Sequence, residues 1–153
     1  MKTAHRRAAH AKRDTMPKFW NRPLTSDQMT RCKLAHWTTI DQFTSGRATE
    51  TELWDLVYNG FMYAELMRLL KEDGDEFTEE ALTAIAEHLE TFTSVIERFK
   101  RLGRVGFSAP ELLAARAAAA EVMDQLIERD RFGFAVRAAE HANALMPTVR
   151  GAQ

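Results

Sequence analysis

Cys32 and His36 stand four residues apart, a spacing that puts a thiol and an imidazole on one face of a helix. A thiol becomes a catalytic nucleophile only beside a base, and a helical Cys–His pair meets that requirement. No pattern that would build an oxyanion-stabilising device accompanies it, so the plainer expectation for Cys32 is a small core residue. His36 and His88 each fall on an apolar stripe. Such residues could form a proton relay or hold a haem; the plainer expectation is a partly buried imidazole hydrogen-bonded across a bundle, or one at the stripe's edge. Four long helices also raise the question of a di-iron carboxylate centre, which needs Glu-x-x-His on two helices and a glutamate on each of the others. Ile85 precedes His88 by three residues and Ala138 precedes His141 by three, so that motif is absent. Glu87-His88 and Glu140-His141 are adjacent pairs that point to different helix faces. Phosphate loops, dinucleotide fingerprints, nucleophile elbows and zinc spacings are missing as well. The expectation is a non-enzymatic chain with no metal and no cofactor.

Charge gives a second kind of chemistry. Residues 1–22 carry seven Lys or Arg against one Asp, leaving fourteen basic against twenty-one acidic residues in the remainder. A net charge of −1 therefore hides a basic tail on an acidic body, an asymmetry that suits a polyanion, a membrane or an acidic partner surface. In the tail, Arg6, Arg7, Lys12, Arg13, Lys18 and Arg22 could contact nucleic-acid phosphates, with a salt slope near −5 at about −0.9 per contact. No helix of the body looks like a basic recognition helix, so such binding would be non-specific. In the body, Glu72, Asp73, Asp75, Glu76, Glu79 and Glu80 gather around Gly74. The plain reading of that cluster is a solvated helix start that suits the helix dipole. The sharper one is a nucleic-acid-mimicking patch that engages a basic groove on a partner protein.

The elements that position these groups are helical. Glycine and proline are scarce, at seven and four, and sit at punctuation points. A capping box at Thr25/Gln28 opens a first helix, whose stripe is Met29, Cys32, His36, Ile40 and Phe43, with Gly46 as its cap. Thr49 and Glu52 open a second helix, with Leu53, Val57, Gly60, Ala64 and Met67 on one face and Leu56, Tyr63, Leu66 and Leu70 beside it. Mid-helix Gly60 costs about 1 kcal/mol relative to alanine, and its use would be the close approach of another backbone. The third helix carries Leu82, Ile85, Leu89, Phe92, Ile96 and Phe99, with a second stripe of Ala81, His88, Val95 and Leu102; two stripes call for two neighbours and a central place. Ser108-Ala109-Pro110-Glu111 opens the fourth, with a stripe of Leu112, Ala115, Ala119, Val122 and Leu126. A shorter fifth helix is expected over 132–146, capped by Asp130 and ended by Pro147, with 148–153 fraying.

The fold expected is all-α: an antiparallel bundle of four long helices plus one short C-terminal helix at 23–147, behind a flexible basic tail at 1–22. Residues 17–24 read as a strap whose Phe19-Trp20 pair docks on the body. No apolar run approaches the length that spans a bilayer, and the N-terminus has no apolar stretch of the secretory kind. One cysteine allows no internal disulfide, which fits a reducing, intracellular compartment.

Two stretches carry a resemblance: 33–67, KLAHWTTIDQFTSGRATETELWDLVYNGFMYAELM, and 107–128, FSAPELLAARAAAAEVMDQLIE. Together they resemble a loose group of small helical proteins encoded by bacteriophages and prophages of proteobacteria. Members share a basic N-terminal tail and an aromatic-(Thr/Ser)-x-Pro-Glu-Leu helix start, here Phe107 to Leu112. The resemblance implies a mobile-element origin and a binder of a host protein, such as an inhibitor of host defence. It carries over no site residues. A homodimer paired through the second stripe of the third helix is a further expectation.

Overall fold

In the computed structural model, residues 22–151 are described, and among them the chain is all-α. Helix α1 is Ser26–Thr44, α2 is Glu50–Asp73 and α3 is Glu79–Leu102. Helix α4 joins an α-helical segment Ala109–Ala118, a π-helical turn Ala119–Met123 and a second α-helical segment Asp124–Arg129. Helix α5 is Phe132–Arg150. The caps expected at Thr25, Thr49 and Ser108 form, and Thr78 supplies a further one. Thr25 Oγ1 accepts from the Gln28 N–H while the Gln28 side chain accepts from Thr25 N at 2.9 Å. Glu52 accepts from Thr49 N at 2.6 Å, and Thr78 Oγ1 accepts from Ala81 N at 3.2 Å. Each bond satisfies a backbone donor that the first helical turn leaves orphaned.

Helices α1 to α4 form a closed set of antiparallel neighbours: α1 lies on α2 and α4, and α3 lies on α2 and α4. Helix α5 packs along α2. Two aromatic pairs tie one end of the molecule, Phe43 stacked on Phe107 with centroids 4.4 Å apart and Trp54 edge-on to Phe99 at 6.1 Å. The α2–α3 turn, the α4–α5 junction and the start of α1 form the other end.

Helix α2 is the centre, a place the stripe pattern had assigned to α3. It buries residues all round, with Leu53, Leu56 and Val57 at 0% exposure and Tyr63, Leu66, Met67, Leu69 and Leu70 at 4% or less. Each such side chain contributes about 1.5–3 kcal/mol by leaving water. A helix apolar on every side is one that neighbours surround. Gly60 is buried here, and a Cβ at this position would overlap the ring of Phe92. Its lack of a side chain therefore admits an aromatic ring from α3, rather than the helix backbone expected. Close backbone approach occurs instead at α5, which turns buried Gly133, Ala138 and Ala142 inward.

Three expectations are corrected. The second stripe of α3 is spent inside the chain: Ala81, His88 and Val95 are buried and only Leu102 is exposed, so it has no face left to pair across a two-fold axis. Helix α5 has 19 residues, as many as α1, and runs through Pro147 to Arg150. Proline removes one N–H bond from the ladder, but neighbours hold the last turn: Met146 is buried, Lys100 Nζ donates to the Val149 carbonyl at 3.4 Å, and the Arg150 guanidinium lies 5.3 Å from the Trp54 ring. The cap of α5 is Arg131, with no side-chain bond, and Asp130 is buried instead.

A single polar staple locks α3 to α4. The Glu111 carboxylate accepts from Arg98 at 2.8 and 2.9 Å, from Ser94 Oγ at 2.6 Å and from Ser108 N at 2.7 Å. Burial alone would push this carboxyl up; the donors from Arg98, Ser94 and Ser108 outweigh it and bring it down to about 2. A carboxyl held below its unfolded value stabilises the fold above that value and loses the contribution as pH falls toward the folded one. Glu111→Gln is expected to cost about 2–3 kcal/mol in urea unfolding at pH 7. The gap to the parent should begin closing below about pH 4.5 and be nearly gone at pH 2.

Candidate functional site

The six carboxylates singled out from the sequence come together at one end of the bundle, and all six residues are exposed. The α2–α3 turn makes this possible. Gly74 takes a left-handed φ of 111°, its N–H reaches the Lys71 carbonyl at 3.1 Å, and the Asp75 N–H reaches back to the Leu70 carbonyl at 3.0 Å. This is the paired closure that ends a helix abruptly and reverses the chain. Glu72 and Asp73 thus sit in the last turn of α2, Asp75 and Glu76 in the turn, and Glu79 and Glu80 in the first turn of α3. Arg129 of α4 pins the turn: it donates to the Glu76 carbonyl at 3.1 Å and lies 5.0 Å from the Phe77 ring centroid.

The two halves of the cluster have different electrostatics. Glu79 and Glu80 lie at the positive end of α3, where negative charge is favourable by about 0.3–1 kcal/mol. Glu72 and Asp73 lie at the negative end of α2, where the same field opposes them. Arg68 meets Glu72 and is itself held by Glu65 at 2.6 and 2.8 Å, a run of three charges along α2. Glu79 and Glu80 are thus favoured by the helix dipole, and Glu72, which the dipole opposes, is balanced by Arg68.

The tail joins the body at this same end. The Phe132 N–H donates to the Arg22 carbonyl at 3.0 Å, and Pro23 forms an isolated bridge with Arg131. Arg22 is exposed; Arg6, Arg7, Lys12, Arg13, Lys18 and the Phe19-Trp20 pair lie outside the described residues.

Next to Arg131, which bridges to Pro23, is a buried polar group that the sequence did not reveal. Asp130 is 7% exposed and its Oδ1 has no hydrogen-bond partner. Burial pushes its carboxyl up to about 7, against a small opposing pull from the Arg131 N–H. Cys32, expected in the core, is exposed: the inward ridge of α1 reaches the interior only from His36 onward, and Met29 is half-buried. Partial burial and then Asp130 raise the Cys32 thiol, which keeps it protonated and a poor nucleophile. Tyr63 is raised by burial, with Cys32, Asp130 and Asp124 adding to it.

The histidines also depart from expectation. His36 is 2% exposed and His88 0%, and none of their four ring nitrogens has a hydrogen-bond partner. Their neighbours are rings: His36 lies edge-on to Tyr63 at 5.6 Å and His88 edge-on to Phe92 at 4.8 Å. No group of three or more His, Cys, Asp or Glu suited to a metal occurs among the described residues. Among these residues, too, no helix is long and apolar enough to cross a membrane. At the far end, an open groove of about 400 Å³ is lined by Leu102, Arg104, Val105 and Phe107. Comparison with protein-family models, curated proteins and solved structures yields no match.

Asp130 generates a test with a defined sign. A carboxyl raised in the fold lowers stability as pH rises from its unfolded value near 4 toward about 7. Asp130→Asn keeps an acceptor for the Arg131 N–H and removes the buried charge. It is expected to stabilise the chain by about 1–3 kcal/mol at pH 8 and by nothing at pH 4, read from urea midpoints.

Proposed function

We propose that this is a non-enzymatic binding protein whose acidic end, Glu72 to Glu80, engages a basic groove on a partner protein. The observation that carries the reading is the placement of Glu72 and Asp73 at the negative end of α2, beside Glu79 and Glu80. Arg68 balances Glu72 within α2, yet six exposed carboxylates within residues 72–80 still leave this end with the excess of negative charge that suits a cationic cleft. The turn is also rigidly held, by the Gly74 closure and by Arg129, so little order is lost on binding. An excess of negative charge on a fixed turn steers association with a cationic cleft and selects against anionic partners. Together with the resemblance to phage-encoded helical proteins, this supports a modulator or inhibitor of a host machine that normally grips a polyanion, acting in the bacterial cytoplasm.

A second reading, nucleic-acid binding through the tail, has its own support in the seven Lys or Arg of residues 1–22 and in the anchoring of that segment at Arg22. One experiment separates the two. The full chain, a version with Glu72, Asp73, Glu76, Glu79 and Glu80 all changed to Lys, and a version lacking 2–21 are used to capture partners from nuclease-treated bacterial lysate. The acidic-end reading expects one protein held by the full chain and by the tail deletion, released by salt, and lost from a charge-reversed version whose circular dichroism is unchanged. Equal capture by the reversed version would overturn it. Enrichment that appears only with nucleic acid intact and the tail present would favour the second reading.

A further inference from the structure

His36 and His88 are polar groups that the bundle buries without satisfying. All four ring nitrogens lack a hydrogen-bond partner, although each neutral imidazole has one donor and one acceptor to place. Leucine or phenylalanine would fill either position without that loss, so stability does not explain the pair.

Register puts the two rings within one helical turn of each other along α4. Arg98 pairs with Glu111 across the antiparallel α3–α4 contact, so ten residues back along α3 and ten on along α4 set His88 opposite residue 121. Lys33 pairs with Glu128 across α1 and α4, so three residues on and three back set His36 opposite residue 125. Tyr63 of α2 meets His36, and Phe92, one turn beyond His88, fills the notch at Gly60. The layer is therefore His36, Tyr63, His88 and the middle of α4. At this level α4 leaves the α pattern: Ala119–Met123 is a π-turn, with Ala119, Val122 and Met123 fully buried. Such turns hold an extra residue in the ladder and mark places where a helix can change register.

No anion answers the imidazoles. The titratable groups around the layer are Cys32 on α1, Tyr63 on α2, and Glu121, Asp124 and Asp130 on α4; Glu121, in the π-turn, is exposed, and Asp124 and Asp130 act on Tyr63. On α3, Glu87 and Glu90 are exposed, and on α5 His141 lies toward Glu65 on the outer side of α2, at 3.9 Å. Burial holds His36 down to about 4, and burial together with His36 holds His88 down to about 3.

We propose that the His36–Tyr63–His88 layer, set against the π-turn of α4, is a proton-operated release: the bundle closes around neutral imidazoles, and protonation of either one opens it at this layer, beginning at residues 119–123. In the open form each imidazole titrates near 6.5, so the open fraction grows about tenfold per pH unit per histidine as pH falls below that value, until the closed form also takes up protons. Asp130 supplies no counter-charge to an imidazolium, because it loses its own charge as pH falls through about 7. Its protonation favours the closed form, and it does not enter the balance so long as Asp130, beyond the layer at the end of α4, stays enclosed when 119–123 opens.

The test is backbone amide exchange of the full chain followed by NMR between pH 7.5 and 5.5, corrected for intrinsic exchange. Opening of the amides around 119–123 and of the facing turns of α1 and α3 should rise about 100-fold over that range. The rise should fall to about tenfold in His36→Phe or in His88→Leu, and vanish in the double variant. An unchanged rise in the double variant, or a flat profile in the parent chain, overturns the proposal. The parent chain supplies a control that needs no variant to fold. The ring-proton resonances of His36 and His88 should not shift down to about pH 5 while the fold persists, and a midpoint near 6.5 for either in the closed form also overturns the proposal.

Discussion

The ion pair between Arg98 and Glu111 is the constraint on which the rest of the arrangement turns. Surface pairs contribute little, but this carboxylate is nearly enclosed and accepts from two guanidinium nitrogens, a hydroxyl and a backbone N–H. Breaking it would leave a buried charge without partners, which is far costlier than never having had the pair. One set of bonds therefore does three things. It caps α4, closes the α3–α4 turn through the Gly106 carbonyl, which accepts from Arg98 at 2.9 Å, and fixes the register of two long helices. That register delivers His88 to the π-turn. Small errors of register are excluded because Phe92 must also find the notch at Gly60.

Around this pair the molecule is built on α2, which has little surface to give to solvent. Its neighbours carry the polar faces, and its C-terminus carries the charge. Because the helices are antiparallel, the α2–α3 turn, the α4–α5 junction and the entry strap meet at one end, so acidic residues from two helices and the root of the basic tail share a small area. The opposite end gathers the rings of Phe43, Phe107, Trp54 and Phe99. The two ends are thus chemically distinct, one held by aromatic packing and one by a rigid, charged turn.

Much of this was legible in the residues. Capping chemistry is local, so Thr25/Gln28 and Ser108/Glu111 announced their helices, and of the stripe Leu112, Ala115, Ala119, Val122 and Leu126 all but the half-buried Leu112 are buried. What escaped depends on the partner rather than on the segment. Helix α2 reads weakly as a stripe because it is apolar on several faces, which is itself the mark of a central helix. Nothing local announces the π-turn at Ala119–Met123, because an alanine run is an ideal α-helix former. Pro147 looks like a stop until α2 and α3 hold the turn beyond it. Cys32 fits the period of α1 but lies before the ridge meets the core. Of the candidate site, the carboxylates were visible as a cluster; the buried Asp130 beside them was mistaken for a cap, because a cap and a buried carboxylate look alike in one dimension.

The central claim is that recognition is concentrated at the acidic end. The most direct measurement is an NMR titration of the isotope-labelled full chain with a short, strongly basic peptide at low salt, mapping which backbone amides shift. The account predicts shifts confined to residues 72–80 and the adjoining turn at 129–132, saturable and abolished as salt screens the charges. Shifts spread evenly over the exposed acidic residues, or centred on the groove at Leu102 and Phe107, would contradict it.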